Sequence, residues 1–283
     1  MFKFNFSSED TDPDDEEKAN REKLWKKCKE ILYEAGNKCV EDIFQHVHTD
    51  SIFSNGSEIK YFRRTEILKM LNNAENLNEN SVLEAERNHS DLVPAVYEGG
   101  LKIWECTYDL FSYINECDND FTNKKVLDLG CGAGIIGITL YLKGANCWFQ
   151  DYNSDVIQFL TIPNVLLNSR DRIQNCKFYS GDWDFFVDTV DEPSGDEQNK
   201  FDYIFTSETI YNTESYPKLH KVFEKLLKKT GVIFLAAKSF YFGVGGGLFL
   251  FQDFIDKHKI FKYTSCWKCM EGVKREILKI QFL

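Results

Sequence analysis

Hydrophobic residues follow two alternating spacings from about residue 100 to the C-terminus. Short apolar runs predict strands at residues 126–129, 146–150, 176–179, 202–206, 232–237, 261–267 and 275–282. Apolar positions with helical spacing predict helices at residues 101–115, 134–142, 155–168 and 245–258. One more helix carries Leu219, Val222, Phe223, Leu226 and Leu227 on one face, and Gly231 is expected to end it.

Strands that alternate with helices predict a parallel sheet with right-handed crossovers. The last two strands have no helix between them and should form an antiparallel hairpin. We therefore expect an α/β protein with a doubly wound, mostly parallel sheet of seven strands and a C-terminal antiparallel hairpin. Its ligand should bind at the carboxyl ends of the strands, beside the first strand. Pro163 should kink, break or restart the helix at 155–168, because it has no N–H to donate.

The first part of the chain shows no comparable pattern. Residues 7–17 hold seven acidic side chains and no basic one, so residues 1–17 are predicted to form a disordered acidic tail. Residues 18–86 are polar, and they predict a mostly helical or irregular extension whose role the sequence does not indicate. A catalytic domain is expected at residues 87–283.

Charge and composition narrow the class of protein. The 283 residues carry 34 Lys and Arg against 45 Asp and Glu, a formal net charge of −11. This charge argues against nucleic-acid binding, and no apolar run approaches the roughly 20 residues that cross a bilayer. The first residues lack the basic flank and apolar region of a secretion signal. We expect a monomer of the cytoplasm, the nucleus or both, without membrane or direct nucleic-acid binding.

The nine cysteines are odd in number and scattered, which suits a reducing compartment. Cys266 and Cys269 form a CxxC without a second pair, and His46 and His48 have no third ligand nearby. Free thiols and surface histidines are therefore expected there, and no metal site is predicted.

The segment VLDLGCGAGIIG at residues 126–137 follows the first predicted strand. Gly130, Gly132 and Gly134 allow a tight turn and a close approach of the backbone to a ligand. Gly132, Gly134 and Gly137 also satisfy the GxGxxG pattern of dinucleotide-binding proteins. The glycines alone leave a dinucleotide and another nucleoside cofactor as alternatives.

Acidic residues near this loop favour a cofactor without phosphates. Asp128 is expected to face the loop, where it would repel a pyrophosphate by about 4 kcal/mol at about 4 Å and an effective dielectric constant of about 20. S-adenosylmethionine carries an ammonium and a sulfonium group instead, and both would be attracted. Asp151 should end the second strand and accept from both ribose hydroxyls. Asp182 should accept from the adenine amino group.

Several motifs resemble one family of methyltransferases. DLGCGAG resembles motif I of the seven-strand, class I methyltransferases, and Glu208-Thr209-Ile210-Tyr211 resembles the (D/E)xx(Y/F) motif of their protein-modifying branch. The segments HSDLVPAVYEGGLKIWECTYDL, FQDYNSDVI, TIPNVLLN, GDW and TSETIYN together resemble the histidine protein methyltransferase 1 family. This resemblance covers about residues 88–283.

The resemblance implies a site for S-adenosylmethionine, with S-adenosylhomocysteine as the product and no metal. The donor-binding residues it implies are Ile103, Trp104, Glu105, Cys106, Thr107, Gly130, Gln150, Asp151, Tyr152, Gly181, Asp182, Trp183 and Ser207. It also implies methylation of one histidine of a large-subunit ribosomal protein, at the tele nitrogen of the ring. Glu208 is the candidate to hold the other ring N–H, with Tyr211 and Asn212 as further catalytic candidates.

Other functions stay open on the sequence. A protein-lysine methyltransferase of the same branch would fit the (D/E)xx(Y/F) motif, but it must lower the lysine pKa from about 10.4. A non-catalytic interaction protein could bind the donor and use the acidic tail as its working surface. An alternative role for Glu208 is to anchor its own loop or the amino group of the donor.

Overall fold

The computed structural model describes residues 25–73, 96–169, 173–191 and 196–283. The predicted acidic tail lies outside these ranges. The strands in chain order are β1 (Lys29–Glu30), β2 (Thr49–Ser54), β3 (Ser57–Phe62), β4 (Lys125–Leu129), β5 (Asn146–Asp151), β6 (Lys177–Ser180), β7 (Phe201–Ser207), β8 (Leu227–Lys238), β9 (Phe261–Cys269) and β10 (Arg275–Phe282).

The large sheet contains the seven predicted strands and an eighth, β1, at its edge. Its strands lie in the order β1-β6-β5-β4-β7-β8-β10-β9. The five adjacent strands β6, β5, β4, β7 and β8 run parallel to one another. Strand β10 pairs antiparallel with both β8 and β9. Because the chain runs to one side of β4 first and then to the other, the strand order switches beside β4. The predicted α/β fold and its C-terminal hairpin are confirmed.

The helices are α1 (Lys38–His46), α2 (Arg64–Asn73), α3 (Glu105–Glu116), α4 (Ile135–Leu142), α5, α6 (Trp183–Val190), α7 (Tyr216–Leu226) and α8 (Leu248–His258). The composite helix α5 consists of Ser154–Val156, a π-helical turn at Ile157–Thr161, and Ile162–Asn168. Pro163 lies in the first turn of the last part, and the helix, which was expected to kink, break or restart there, instead continues through the preceding π-helical turn.

Hydrophobic clusters cover both faces of the large sheet. Val126 of β4 and Phe205 of β7 belong to the cluster that contains α3, α4 and α5. Their neighbours Leu127 and Ile204 belong to the cluster that contains α6, α7 and α8. Successive strand residues point to opposite faces, so a parallel sheet covered by helices on both sides results. None of the helices described here is long and apolar enough to cross a membrane.

One predicted helix boundary was wrong. Helix α7 ends at Leu226, and Leu227 already belongs to β8. Gly231 therefore lies inside a strand and does not end the helix. The physical reason is pairing with β7, where Leu227 lies opposite Phe201, and this pairing overrides the helical spacing of the side chains. Helix α6 was not among the helices predicted from the sequence.

The N-terminal extension contains more regular structure than the sequence indicated. Besides α1 and α2 it forms the hairpin of β2 and β3, and β1 joins the edge of the large sheet beside β6. The expectation of a mostly helical or irregular extension missed these strands. Ile43, Ile59, Phe62 and Ile67 of the extension are buried in the same cluster as α4 and α5. The described part of the extension therefore shares a core with the sheet.

Two asparagines of α5 hold this hairpin in place. Asn164 is fully buried. Its Oδ1 accepts from the Phe62 N–H at 2.9 Å, and its Nδ2 donates to the Ala133 carbonyl at 2.8 Å. Asn168 pairs with the N–H and C=O of Lys60 at 3.0 and 2.7 Å. The two side chains take the place of a neighbouring strand along the edge of β3.

Replacing Asn164 by alanine should lower the free energy of unfolding by about 2 kcal/mol, because two buried main-chain groups would lose their partner. Asn168→Ala is the matched control, since its contacts with Lys60 are exposed and water can replace them. A loss below about 1 kcal/mol is expected for it. Urea unfolding followed by circular dichroism measures both variants, and equal losses would contradict the role assigned to Asn164.

Candidate active site

A cleft of about 830 Å³ opens at the carboxyl ends of β4, β5, β6 and β7. In a parallel sheet this edge, beside the switch in strand order, is where ligands bind. The residues that line it are Trp25, Glu98, Gly99, Gly100, Lys102, Ile103, Trp104, Thr107, Gly130, Cys131, Gly132, Ala133, Ile135, Asp151, Tyr152, Asp182, Trp183, Ser207, Glu208, Thr209, Tyr211, Ser215 and Lys218.

The structure brings most, but not all, of the predicted site residues to this cleft. The predicted residues that line it are Ile103, Trp104, Thr107, Gly130, Gly132, Asp151, Tyr152, Asp182, Trp183, Ser207, Glu208 and Tyr211. The predicted residues that lie elsewhere are Glu105, Cys106, Asp128, Gly134, Gln150, Gly181 and Asn212. Their actual contacts explain the difference.

The side chains of Asp151 and Asp128 accept hydrogen bonds from the glycine loop between β4 and α4. The Gly132 N–H donates to Asp151 Oδ2 at 3.0 Å, and the Gly137 N–H donates to Asp128 Oδ2 at 2.7 Å. Gly132 has a φ of 50°, and a Cβ there would lie 2.8 Å from the Gly100 carbonyl oxygen. Because a side chain would be both strained and obstructed, glycine is required at this position.

Asp128 faces the glycine loop, as expected, but it does not line the cleft in which the donor was expected to meet it. Its side chain is buried beneath the loop, where it accepts from Gly137. Burial raises the pKa of Asp128 to about 8, and the hydrogen bond, which lowers the pKa, does not compensate. A carboxyl with this pKa is mostly protonated at pH 7. Because Asp128 is buried beneath the loop and burial disfavours its charged form, this geometry does not support the predicted repulsion of a ligand phosphate.

The hydrogen bonds of the loop supply a different argument against a dinucleotide. Dinucleotide-binding proteins offer the N–H groups of the loop and of the following helix to the phosphates. In this protein the Gly132 and Gly137 amides already donate to the protein's own Asp151 and Asp128. The loop is thus stabilised by acidic side chains, which favours a cofactor without phosphate.

Asp151 lines the cleft at the end of β5 and is buried. Its Oδ1 accepts from the Asn153 N–H at 3.0 Å, in addition to the contact of Oδ2 with Gly132. Burial raises the pKa of Asp151 to about 6, although both hydrogen bonds lower it. The group is therefore ionised in most molecules above pH 7, and it can accept from the hydroxyls of a ribose.

Asp182 and Lys218 form an ion pair at another end of the cleft. Asp182 Oδ2 lies 2.8 Å from Lys218 Nζ, and Oδ1 accepts from the Asp184 N–H at 3.0 Å. Asp182 also caps α6 by this second contact. Both oxygens already have a partner, so a hydrogen bond to an adenine amino group would use a remaining lone pair.

Three predicted donor-binding residues support the cleft from behind. Gln150 is fully buried; its Nε2 donates to the Gly181 carbonyl at 2.8 Å, and its Oε1 accepts from Trp183 Nε1 at 2.9 Å. Gln150 and Gly181 therefore orient the Trp183 ring and do not themselves line the cleft. Gly134 has a φ of 76° and lies at the start of α4, so its role is to allow the turn into that helix.

The segment before α3 contributes only some of its side chains. Ile103, Trp104 and Thr107 line the cleft. Glu105 forms an ion pair with Lys238 at 2.9 Å, and Cys106 is fully buried in the core. Because the helix begins at Glu105, its geometry turns these two side chains away from the cleft, contrary to the prediction.

Glu208 lies in the wall of the cleft with one oxygen engaged. Its φ is 60°, a conformation that costs energy for a residue other than glycine. Its Oε1 accepts from the Cys106 N–H at 3.2 Å and lies 3.6 Å from Lys238 Nζ. Its Oε2 is buried and has no hydrogen-bond partner among the described residues. One oxygen therefore anchors the start of α3, and the other lies buried in the wall of the cleft.

Tyr211 lines the cleft, as Glu208 does, whereas Asn212 does not. The Tyr211 hydroxyl donates to the Glu98 carboxylate. Burial, reinforced by the charge of Glu98, raises the pKa of Tyr211 well above its ordinary value. Asn212 instead accepts from the Glu214 N–H at 3.0 Å and caps the next turn. Asn212 therefore caps a turn and does not occupy the predicted catalytic position.

A second cavity of about 910 Å³ adjoins the cleft. Glu98, Trp104, Glu208 and Tyr211 line both spaces, and we call these four residues the junction. The other walls of the second cavity are Lys238, Phe240, Tyr241, Phe242, Val244 and Val273. A planar, partly apolar group bound in this cavity would contact the carboxylates of Glu98 and Glu208 and the phenol of Tyr211 where the two spaces join.

Sequence reasoning missed eleven of the residues that line the cleft, among them Trp25, Glu98 and Lys218. Trp25 and Lys218 lie outside the motifs that were considered. Glu98 lies within one of them, in the YEGG segment. An acidic residue next to two glycines, shortly before a predicted helix, was the available signal.

The cleft fits S-adenosylmethionine. The carboxylate of Asp151 at the end of β5 suits ribose hydroxyls, and the glycine turn brings the backbone close to the ligand space. The ionisable carboxylates in the wall suit a cationic cofactor. In the described ranges no group of three or more His, Cys, Asp or Glu residues is arranged to hold a metal ion.

The strand order, the C-terminal hairpin and this cleft are those of the class I, S-adenosylmethionine-dependent methyltransferase fold. A family model described as "Lysine methyltransferase" matches residues 94–241, just over half of the 283 residues. The chain belongs to this family.

Curated relatives share more specific similarity. A histidine protein methyltransferase 1 homolog of Bos taurus is 42% identical over 227 residues, which cover 72% of this chain and 61% of that protein. The homolog of Dictyostelium discoideum is 47% identical over 166 residues, which cover 59% and 52%. The resemblance to this family is confirmed, and the chain spans between 52% and 61% of the length of these two relatives.

A solved structure shows the same fold. The structure of SMU.776 complexed with SAH aligns with a TM-score of 0.52 at 12% sequence identity. The alignment covers 82% of this chain and 55% of that chain. At this level of identity, the likeness concerns the fold alone.

Asp151→Ala should weaken the binding of S-adenosylmethionine at least tenfold, about 1.4 kcal/mol, because the ribose hydroxyls and the Gly132 amide would lose a buried acceptor. Isothermal titration calorimetry measures the affinity, and thermal unfolding without ligand checks that the variant is folded. Asp188→Ala is the control, since Asp188 pairs with Lys221 on the outer face of α6. Undiminished affinity in Asp151→Ala would refute the ribose assignment.

Asp128→Asn should change how stability depends on pH. The folded pKa of about 8 lies above the ordinary value of 3.8, so the stabilisation from the bound proton is complete below pH 4 and is lost as the pH rises through 8. Asparagine keeps an acceptor for the Gly137 N–H and has no such loss. The unfolding free energy of the variant minus that of the wild type should therefore grow by about 1 kcal/mol per pH unit from pH 5 to 8. Urea titrations at several pH values test this, and a constant difference would contradict the raised pKa.

Proposed function

We propose that the protein transfers a methyl group from S-adenosylmethionine to a histidine side chain of another protein, at the tele nitrogen. The observation that carries this proposal is the junction, where Glu98, Glu208 and Tyr211 lie between the donor cleft and an aromatic second cavity. The names of the curated relatives support the same acceptor.

The chemistry of the junction suits an imidazole. With an ordinary pKa of about 6.5, neutral imidazole has a free lone pair on one nitrogen near pH 7. The other nitrogen carries a proton and needs an acceptor. Glu208 Oε2, which is buried without a partner in the described part of the chain, can accept from this N–H. That contact would select the tautomer and stabilise the imidazolium that forms during transfer.

When bound, S-adenosylmethionine supplies a methyl group on a positively charged sulfur that is open to in-line attack. The chain's own residues bind and orient. Asp151 holds the ribose, Trp104 and Tyr211 wall the passage and exclude water, and Glu208 holds the non-reacting N–H and can take its proton when the ring becomes cationic. Positioning of this kind can supply roughly 7–11 kcal/mol of the rate acceleration.

A lysine acceptor is the second candidate, because the matching family model is described as "Lysine methyltransferase". A lysine amine has an ordinary pKa of about 10.4 and must lose its proton before it can attack. The carboxylates of Glu98 and Glu208 would favour the charged ammonium and oppose that step. Imidazole needs no such deprotonation, so it is the better fit to this junction.

The protein substrate, in our proposal, is a basic client such as a large-subunit ribosomal protein, met in the cytoplasm or the nucleus. The formal net charge of −11 would attract a basic chain at long range and aid the encounter. The sequence resemblance to the histidine protein methyltransferase 1 family supports the same class of client.

The deciding experiment is incubation of the protein with isotope-labelled S-adenosylmethionine and free ribosomal proteins, followed by mass spectrometry of the labelled residue. Label on the tele nitrogen of histidine is expected. Label on lysine would establish the second candidate instead. Absence of label on every protein offered, together with tight donor binding, would favour a non-catalytic binding protein.

Glu208→Gln should lower kcat by about 100-fold, in line with loss of a group that handles a proton in the transition state. The dissociation constant of the donor should change less than about threefold, about 0.7 kcal/mol. Glu105→Gln is the matched control, because Glu105 pairs with the same Lys238 but lies outside the cleft. Single-turnover kinetics and calorimetry separate the two effects, and an equal fall in kcat for both variants would assign the effect to Lys238.

A further inference from the structure

The first described residues of the chain cross one end of the donor cleft. Strand β1 pairs antiparallel with β6, with Lys29 opposite Ser180. Closer to the N-terminus, the Lys26 carbonyl accepts from the Asp182 N–H at 2.9 Å. Residues Trp25–Glu30, which we call the N-terminal strap, therefore extend the sheet and follow the turn after β6. That turn leads into Asp182 and Trp183, which line this end of the cleft.

The strap and this turn fit closely. A Cβ at Gly181 would lie 2.6 Å from the Lys27 carbonyl oxygen and 2.7 Å from Cys28 Cα. Gly181 has a φ of 127°, a conformation that favours glycine. The backbone of the turn before Asp182 therefore has the shape that contact with the strap requires.

Lys26 fastens the strap to the end of β5. Its N–H donates to the Tyr152 hydroxyl at 3.3 Å, and its ammonium donates to the Val96 carbonyl at 3.1 Å. The ammonium also lies 5.1 Å from the centre of the Tyr152 ring. Tyr152 lines the donor cleft directly after Asp151, so the strap contacts the ribose-binding part of the cleft as well.

Trp25 itself lines the cleft, and its ring contacts Tyr152 and Lys218. Its ring meets the Tyr152 ring edge to face, with centroids 6.1 Å apart and planes at 87°. Lys218 Nζ lies 3.4 Å from the centre of the Trp25 ring and 2.8 Å from Asp182 Oδ2. The indole is thus held at the same end of the cleft as Asp182 and Trp183.

We propose that Trp25 forms a wall of the subsite for the adenine ring, so that the N-terminal strap completes the donor site. Aromatic side chains bind a nucleobase through its π face, and Asp182 and Trp183 follow the strand next to the one that carries the ribose-binding Asp151. The strap lies outside residues 94–241, which the family model matches. The inference concerns adenine-containing nucleosides and holds whichever residue the protein methylates.

Calorimetry with S-adenosylhomocysteine tests this inference without any acceptor, so its result is independent of the proposed function. Trp25→Ala should weaken binding roughly tenfold, the loss expected for an aromatic ring against a base. Trp25→Phe keeps an aromatic wall and should stay within about threefold of the wild type. Leu32→Ala is the matched control, since Leu32 follows the strap and is 75% exposed; its affinity should equal that of the wild type.

Titration with adenosine, which lacks the amino-acid half of the donor, locates the effect. The fold-loss in Trp25→Ala should be the same for adenosine as for S-adenosylhomocysteine. Thermal unfolding without ligand should show similar midpoints for Trp25→Ala and Trp25→Phe, and S-adenosylhomocysteine should raise the midpoint less in the alanine variant. Unchanged affinity in Trp25→Ala, an equal loss in Trp25→Phe, or a loss confined to S-adenosylhomocysteine would each overturn the proposal.

Discussion

The donor site depends on two hydrogen bonds, in which two amides of the glycine loop donate to two buried aspartate side chains. Asp151 takes the Gly132 N–H and Asp128 takes the Gly137 N–H, so the ends of β5 and β4 determine the course of the glycine loop and the start of α4. Burial disfavours the charged form of both groups, and the pKa values of about 6 and about 8 reflect this cost. The same contacts use amides that a dinucleotide-binding loop offers to phosphate.

A second set of contacts joins the donor cleft to the space beside it. Glu208 accepts from the first turn of α3 through Cys106 and lies near Lys238 of β8. The Tyr211 hydroxyl donates a hydrogen bond to the Glu98 carboxylate. Residues far apart in sequence therefore meet at one junction, and the strained backbone of Glu208 is maintained because the surrounding sheet and helix hold it there.

Most of the fold could be predicted from the sequence because hydrophobic spacing reports directly on which residues are buried. Hydrophobic spacing gave a wrong prediction where pairing with a neighbouring strand outweighed the local pattern, as at Leu227, which belongs to β8 and lies opposite Phe201. It also failed for the hairpin of β2 and β3, whose outer edge is completed by Asn164 and Asn168 from a distant helix. No local pattern shows that an asparagine side chain will take the place of a strand.

The candidate site divides in the same way. The sequence by itself determined the glycine loop, the acids after successive strands and the family motifs, because these depend on backbone conformation and on residues close together in the chain. Only the tertiary structure decided which side chains reach the ligand: it buried Asp128 beneath the loop, turned Glu105 towards Lys238, and brought Trp25, Glu98 and Lys218 into the cleft. The physical reason is that side-chain direction and contacts between distant residues are set by the packing of whole elements, and local spacing does not record that packing.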